Sequence, residues 1–296
     1  MQNQTNTQVR SALISEAIGR VGRKGQSLSL TNAFDFITKD ITIRGPIFFN
    51  ILQCYTPAAT YNYVVLPDDY RNRDAMIVGE REQRFVEPNN FHRYYQTSDV
   101  SEIVAGNQSG QPSWYSIDKR LGKILFWPMP DAAYYVYFRY GALHPKSGCR
   151  LEFTSGGPEI PLVGETVVQG AASGTLSAII LNDGTWEDGT AEGTLIFPTL
   201  TGTFAAGELT LGGHANNATI AAASSTADNF KHFLGSEFDE AITNGLCWRA
   251  CFYISDLQES ESFWKGQYMD SLQQMADLNI KYRIAFKGNL WQPSWS

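Results

Sequence analysis

Lysine and arginine are absent between residues 151 and 225, although the chain of 296 residues carries 23 of them. The same stretch holds 8 acidic residues and 12 of the 26 glycines, whereas acidic and basic residues nearly balance elsewhere. A change in composition of this kind is typical of a domain boundary. We therefore predict a separate module inserted over residues 151–225.

Long apolar runs and a targeting segment are also missing. No window approaches the roughly 18 consecutive apolar residues of a membrane span, and the polar residues 1–6 lack the charged and apolar regions of a signal peptide. These features predict a protein that has no membrane partner and stays in the compartment where it is made. The few cysteines show no repeated spacing, which favours reduced core thiols over a disulfide framework. They are Cys54, Cys149, Cys247 and Cys251.

No constellation of catalytic or metal-binding residues is evident in the sequence. It contains no His-Glu-x-x-His motif, no two Cys-x-x-Cys pairs and no phosphate-binding loop. Cys247 and Cys251 lie four residues apart, but without a second pair they are better interpreted as buried thiols. The histidines are scattered through different segments, at His92, His144, His214 and His232. We therefore expect no enzymatic activity, no metal and no cofactor.

An acidic turn around Trp186 leaves two alternatives open. Asp183, Glu187 and Asp188 crowd a glycine-rich stretch, and paired carboxylates can hydrolyse glycosides or bind calcium. The stretch lacks the Asp-x-Asp-x-Asp spacing of a calcium loop, so a solvated turn is the favoured interpretation and a hydrolase the weaker one. Trp186 is more typical of a core aromatic than of an exposed platform that stacks on a sugar.

Apolar residues at helical spacing predict helices towards both ends of the chain. The first helix has apolar residues every four positions from Val9 to Val21 and ends within residues 19–25. A second short helix is predicted over residues 33–43. Two further apolar stripes, over residues 238–253 and 264–282, predict an antiparallel helical pair because the segment between them is short.

Between residues 46 and 140 the pattern changes to short β segments that are rich in aromatic residues. The strongest signals cover residues 123–127 and 134–140, and the prolines between them predict a hairpin with a proline-bearing turn. The inserted stretch is all β by the same criteria. Its predicted strands cover residues 165–168, 174–181, 193–197 and 208–211.

Together these elements predict an α+β fold with a helical body, a small β region and an inserted all-β domain, either a barrel or a sandwich. The body covers residues 1–150 and 226–283, and the insert covers residues 151–225. Residues 284–296 have no regular period, yet they contain apolar side chains that need cover. We predict that this tail binds a partner through Phe286, Leu290, Trp291 and Trp295.

Two short motifs resemble those of podovirus-type adaptor and tail tubular subunits of tailed bacteriophages. The first motif is similar to an LP-D-(Y/F) signature that follows a strand, and it consists of Leu66, Pro67 and Asp68. The second is similar to an FxPxPD segment before an aromatic strand, and after Phe126 it continues with Trp127, Pro128, Met129, Pro130 and Asp131. The order of helix, β region and closing helices also resembles that of the family, over residues 7–143 and 229–282.

The resemblance implies a structural virion protein, a head-to-tail adaptor in the phage neck that is made in the host cytoplasm. It further implies a homo-oligomeric ring, commonly of twelve copies, that binds the portal protein on one side and tail or nozzle proteins on the other. DNA would pass through without specific binding, and the net charge of −7 without a basic stripe is compatible with this. The alternative is a carbohydrate- or receptor-binding tail component.

Overall fold

The computed structural model describes residues 8–22, 30–44, 49–57, 62–88, 109–211, 213–220, 222–224, 226 and 229–286. The chain forms two compact units, and each of them is assembled from separate stretches of sequence. The first unit contains Met1–Phe48, Leu143–Arg150 and Ser225–Ser296, and the second contains Phe49–Ala142 and Leu151–Ser224. The second unit thus includes both the predicted insert and residues assigned to the body; whether the insert folds by itself stays a prediction.

The first unit is helical in its described part. Its elements are α1 Arg10–Arg20, α2 Thr31–Arg44, a 3-10 turn at Ser236–Phe238, α3 Asp239–Tyr253, a second 3-10 turn at Ser255–Ser260, and α4 Glu261–Phe286. The amphipathic first helix predicted from the sequence is confirmed, because Leu13 and Ala17 are buried one turn apart on one face of α1. The second predicted helix is also confirmed and extends to Thr31–Arg44.

Helix α3 lies at the centre of this unit because α1, α2 and α4 all pack against it. Its apolar stripe is buried as predicted from Phe238 to Ala250, but Tyr253 at the end of the helix is exposed. Gly245 permits a close approach of α2, since a Cβ atom at this position would lie 2.8 Å from the side chain of Ile37. Arg20 at the end of α1 donates two hydrogen bonds of 2.7 Å to the carboxylate of Glu240 on α3.

Helices α3 and α4 form the predicted antiparallel pair. Asn244 donates a hydrogen bond of 3.0 Å to Ser271, and one turn later on α3 Trp248 stacks on Tyr268, with 5.7 Å between the ring centroids. Trp248 follows Asn244 on α3, whereas its partner Tyr268 precedes Ser271 on α4, so the two helices run antiparallel. Tyr268 is buried, whereas Leu272, which we expected in the same buried stripe, is half-buried. The side chains of Met275, Leu278 and Tyr282 lie outside the described residues.

The second unit is built of β-strands. The first two residues of one of them, β9, belong to the first unit. The strands are β1 Phe49–Tyr55, β2 Tyr63–Val65, β3 Tyr70–Val78, β4 Arg81–Glu82, β5 Arg84–Phe85, β6 Trp114–Asp118, β7 Lys123–Trp127, β8 Tyr135–Ala142, β9 Cys149–Gly156, β10 Thr166–Gln169, β11 Ala172–Thr175, β12 Ala178–Asp183, β13 Ala191–Phe197, β14 Leu200–Thr201, β15 Gly207–Leu211 and β16 His214–Ile220.

Two four-stranded sheets enclose the first β core. One sheet has the order β1-β8-β3-β4, and the other has the order β2-β7-β6-β5. Strands β5 and β6 run parallel, while β7 is antiparallel to both β6 and β2. Alternate residues of β8, including Val136 and Phe138, are buried, and Phe138 contacts Tyr115 of β6 edge-on, with 6.1 Å between the ring centroids. Side chains from the two sheets therefore share one core.

The third sheet has eight strands in the order β12-β13-β9-β16-β15-β10-β11-β14. The strands predicted over residues 165–168, 193–197 and 208–211 are confirmed as β10, β13 and β15. The segment predicted as one strand over residues 174–181 is two strands, β11 and β12, because residues 176 and 177 leave the regular pairing. The result is a single eight-stranded sheet.

The predicted fold class is wrong. The protein is mostly β, with three sheets of four, four and eight strands, and it is 29% helical rather than an α+β fold with a helical body. The cause lies in the strength of the two sequence signals. Helices of 11 to 26 residues show several turns of periodicity, whereas many of these strands have only two to five residues and carry almost none.

The predicted hairpin over residues 123–140 is also wrong, although both of its strands exist. Strand β7 pairs with β2 and β6, while β8 pairs with β1 and β3 in a different sheet. After β7 the chain forms one isolated bridge, between Met129 and Ser109, before it reaches β8. Two prolines in this connection lack the amide hydrogen that a two-stranded ladder needs, so the chain crosses from one sheet to the other.

No helix in the described ranges combines the length and the apolar content that crossing a membrane requires.

Candidate interaction surface

The first family-like motif follows strand β2 directly. Leu66 is buried, and its amide donates a hydrogen bond of 2.9 Å to the carbonyl of Gly122, which precedes β7. The carbonyl of Pro67 accepts a hydrogen bond of 3.0 Å from Tyr70, so Asp68 lies within a tight turn. The motif therefore connects β2 of one sheet to β3 of the other.

Asp69, the next residue, carries the polar contacts that the sequence did not indicate. Its carboxylate accepts a hydrogen bond of 2.7 Å from the hydroxyl of Tyr140 and one of 3.3 Å from the amide of Asn50. Burial raises the pKa of Asp69, although its hydrogen bonds oppose the shift. Asn50 also donates to the carbonyl of Ile179 at 3.0 Å, so one buried amide connects the LP-D turn with strand β12.

The second motif begins at the end of β7. Trp127 packs against Trp114 of β6 with 5.3 Å between the ring centroids, and its peptide bond to Pro128 is cis. Pro130 is buried, and the exposed Asp131 accepts a hydrogen bond of 2.6 Å from the hydroxyl of Tyr134. Because β2 and β7 are antiparallel, the two motifs lie on paired strands but at opposite ends of the pair.

The predicted tail is described only in part. Helix α4 continues to Phe286, so residues 284–286 are helical and the sequence-based start of the tail is three residues early. The side chain of Phe286 and the residues Leu290, Trp291 and Trp295 lie outside the described residues. Their assignment as a partner-binding segment stays a prediction.

The acidic turn is stabilised from within and from strand β1. Asp188 accepts a hydrogen bond of 2.8 Å from the hydroxyl of Thr185, while Asp183 accepts one from the amide of Gly184. Trp186 is buried and stacks on Phe153, with 5.1 Å between the ring centroids, which confirms it as a core aromatic. A buried indole is not available for stacking on a sugar.

Gln53 of β1 anchors this turn with two hydrogen bonds. Its amide donates to the carbonyl of Gly184 at 2.9 Å, and its side-chain oxygen accepts from the backbone amide of Trp186 at 3.0 Å. The hydroxyl of Tyr135 donates to the same oxygen. The turn is thus a structural element of the second unit whose polar groups are satisfied.

The cysteines divide into two groups. Cys247 and Cys251 are buried as predicted, and their thiols point at the carbonyl oxygens of Ala17 and Cys247, at 3.6 Å and 3.3 Å. Burial raises the pKa of Cys54 and of Cys247 to about 12, so both stay protonated at neutral pH. Cys54 and Cys149 are only partly buried, which differs from the prediction that all four are core residues. In the described ranges no group of His, Cys, Asp and Glu is arranged to hold a metal ion.

A shallow groove of about 430 Å³ lies beside strand β3. The guanidinium of Arg73 lies 3.5 Å from the centre of the Phe85 ring, and the ammonium of Lys119 lies 5.2 Å from that of Tyr70. Both cations therefore already interact with aromatic rings of the groove itself.

The first unit carries an exposed group of aromatic side chains around one arginine, which we call the aromatic–arginine surface: Phe36, Trp248, Arg249 and Phe252. The guanidinium of Arg249 lies 4.4 Å from the ring centre of Phe36 and 5.0 Å from that of Phe252. Phe36 is 44% exposed and Phe252 is 51% exposed, values that are high for large apolar side chains.

The contacts of Trp248 fix this surface on three helices. Its ring stacks on Tyr268 of α4, meets the ring of Phe252 edge-on at 6.0 Å, and donates its indole N–H to Glu261 at 3.3 Å. Tyr268 in turn donates a hydrogen bond of 2.8 Å to Asp40 of α2. Aromatic residues and arginine in this arrangement are the types that contribute most to protein–protein binding energy.

The sequence prediction did not identify this surface. Phe252 lies outside the apolar stripe of α3, and Phe36 lies in a helix with little amphipathic pattern. Neither position therefore indicates a binding surface in the sequence. Their exposure is a property of the packed helices, because it depends on which faces of α3 are already covered by α1 and α4.

A scan against known protein families found no match, and a search among curated proteins found no significant similarity.

Proposed function

We propose that the chain is a structural subunit of a tailed-bacteriophage neck, a head-to-tail adaptor that forms a ring between the portal and the tail. The observation that carries the proposal is the placement of the two family-like motifs. They occupy the ends of β2 and β7, which pair directly, and Leu66 contacts the start of β7 through its backbone. The motifs thus follow two strands that pair with each other, one motif at each end of the pair.

The surface chemistry of the first unit supports assembly with protein partners. A closed ring needs a heterologous interface in which one patch meets a different patch of the neighbouring copy. The aromatic–arginine surface is one candidate patch, since Phe36 and Phe252 are half-exposed. The predicted partner-binding segment with Leu290, Trp291 and Trp295 is a second and chemically different one.

The charge distribution supports passage of DNA without specific binding. The net charge is −7, and residues 151–225 contain no lysine or arginine to neutralise phosphates. Sustained phosphate contacts would slow a duplex that has to slide through a neck. Portal protein and tail or nozzle proteins are accordingly the proposed partners, and the virion neck is the proposed location.

Electron microscopy of the purified protein, alone and mixed with the portal protein of the same phage, tests this proposal. We expect rings, with twelve copies as the number that the resemblance implies, and their attachment to one end of the portal. The matched sample is the chain without residues 287–296, which should keep its circular dichroism spectrum but lose ring formation or portal attachment. A full-length chain that stays monomeric at all concentrations and ignores the portal would refute the adaptor function.

A further inference from the structure

Arg249 carries an unsatisfied donor in the centre of the aromatic–arginine surface. Its Nε atom is buried and has no hydrogen-bond partner within the part of the chain that the structure describes. The rings of Phe36 and Phe252 flank the guanidinium and remain about half exposed. A segment that supplies a further aromatic ring and an acceptor oxygen would cover the exposed rings and bind the charged guanidinium.

Residues 287–296 have the matching composition. They include Leu290, Trp291 and Trp295, they contain no acidic residue, and the side chains of Asn289 and Gln292 carry amide oxygens that can accept from a guanidinium. Trp is the aromatic side chain that binds a cation most strongly over its ring face.

The length of helix α4 decides which copy of the surface Leu290 and Trp291 can reach. Trp248 lies beside Glu261 and Tyr268, so the surface is level with the first two turns of α4. From there to Phe286 the helix rises about 30 Å at 1.5 Å per residue. A fully extended chain covers at most about 3.4 Å per residue, so Trp291 reaches no more than ~17 Å back from Phe286. Leu290 and Trp291 therefore fall short of the surface on their own copy.

We propose that the segment 287–296 of one copy binds, through Leu290 and Trp291, the aromatic–arginine surface of a neighbouring copy. This proposal rests on the adaptor function in one respect, because both require several copies of the chain to assemble. Trp291 packs against Phe252 and the guanidinium of Arg249, and an oxygen of the segment accepts a hydrogen bond from that guanidinium. The contact is heterologous, because a segment at the end of α4 meets a surface at its beginning, and repetition of such a contact closes a ring or extends a fibre.

Photo-crosslinking with the full chain tests the proposal. Trp291 is replaced by the photoreactive aromatic p-benzoylphenylalanine in an isotopically light chain, which is mixed with an unsubstituted heavy chain before irradiation. Mass spectrometry then separates cross-links within one copy from those between copies. We expect light-to-heavy cross-links that are concentrated on α3 residues 248–253 and on α2 around Phe36. Cross-links within one copy, cross-links concentrated elsewhere, or none at all would overturn the proposal.

A matched pair of heavy chains controls for nonspecific capture. Phe36→Ser with Phe252→Ser removes the two exposed rings and should lower the cross-link yield at least tenfold. Leu162→Ser with Val163→Ser changes two apolar residues of the second unit that are even more exposed, and it should leave the yield unchanged. Equal yields from both double variants would contradict the assignment of this surface.

The assembly state of the same samples separates this inference from the adaptor function. If electron micrographs show rings but the cross-links lie at another surface, the proposed contact is wrong and the adaptor function is unaffected. Cross-links at the expected residues in a sample that forms only fibres or small oligomers would support the contact and count against a portal-binding ring.

Discussion

Trp186 in the β unit and Trp248 in the helical unit are both held by stacking, but they serve different purposes. Trp186 is 1% exposed, stacks on Phe153, and has its backbone amide bonded to Gln53. Trp248 is half-exposed. Its neighbour Phe252 is exposed, and the Nε atom of Arg249 has no hydrogen-bond partner among the described residues. The β unit thus uses this tryptophan for its own stability, while the helical unit keeps a tryptophan and two phenylalanines at its surface.

Replacement of Trp186 should have the largest effect on stability. Trp186→Ala removes a fully buried ring and leaves a cavity beside Phe153, so we expect the free energy of unfolding to fall by about 3–5 kcal/mol. Urea unfolding followed by circular dichroism measures the change. Leu162→Ala is the control, because this exposed side chain should change the stability by no more than about 0.5 kcal/mol. A loss below about 1 kcal/mol for Trp186→Ala would show that the ring is not a core residue.

Acidification should destabilise the helical unit through His144. His144 is buried, its Nε2 atom accepts from the amide of Phe233 at 3.1 Å, and its Nδ1 atom lies 2.8 Å from the carbonyl of Pro145. This arrangement requires the neutral ring, and burial together with the nearby His232 lowers the pKa of His144 from 6.5 to about 3.

The direction of the pH dependence follows from which state of the protein binds the proton. Above pH 6.5 the ring is neutral in both states and its contribution is complete; between pH 6.5 and about 3 only the unfolded state binds the proton, so stability falls as the pH falls. At pH 5 the loss is about 2 kcal/mol relative to pH 7, from 1.36 kcal/mol per pH unit. Stability measured across this range should decline in the natural chain and decline less in His144→Gln. Parallel pH curves for the two proteins would rule out His144 as the responsible group.

The smallest effect on stability is expected at the aromatic–arginine surface. Phe36→Ser with Phe252→Ser removes side chains that are about half exposed, so we expect less than about 1 kcal/mol. The same variant should lose assembly, as judged by analytical ultracentrifugation. A large loss of stability without a change in assembly would mean that these rings belong to the core, and it would erase the difference between the two units.

The sequence predicted the helices better than the sheets. Residues 10–20 and 239–253 repeat apolar side chains over several turns, and both helices are confirmed. Strands β7 and β8 were also predicted at nearly the observed positions, but their partners were not. A strand's own residues show which face is apolar; its neighbour depends on side chains far along the chain, such as Asn50 bonding to residue 179.

The candidate surface was predictable only in part. The aromatic content of residues 284–296 is visible in the sequence, and it indicated a binding segment. The complementary surface needs three helices, and its central residue Arg249 shows no signal until α2 and α3 bring Phe36 and Phe252 to either side of it. Sequence patterns report local periodicity, whereas an interaction surface is defined by what the packed helices leave uncovered.

The chain passes from one unit to the other four times, at residues 48–49, 142–143, 150–151 and 224–225. During synthesis α1 therefore emerges long before its main partner α3; Arg20 and Glu240, which connect them, are 220 residues apart. At translation rates of about 5–20 residues per second, α1 waits roughly 10–45 seconds for that partner. The β unit has all of its strands once residue 224 has been made, so the ribosome delivers a complete β unit before the helical unit can close.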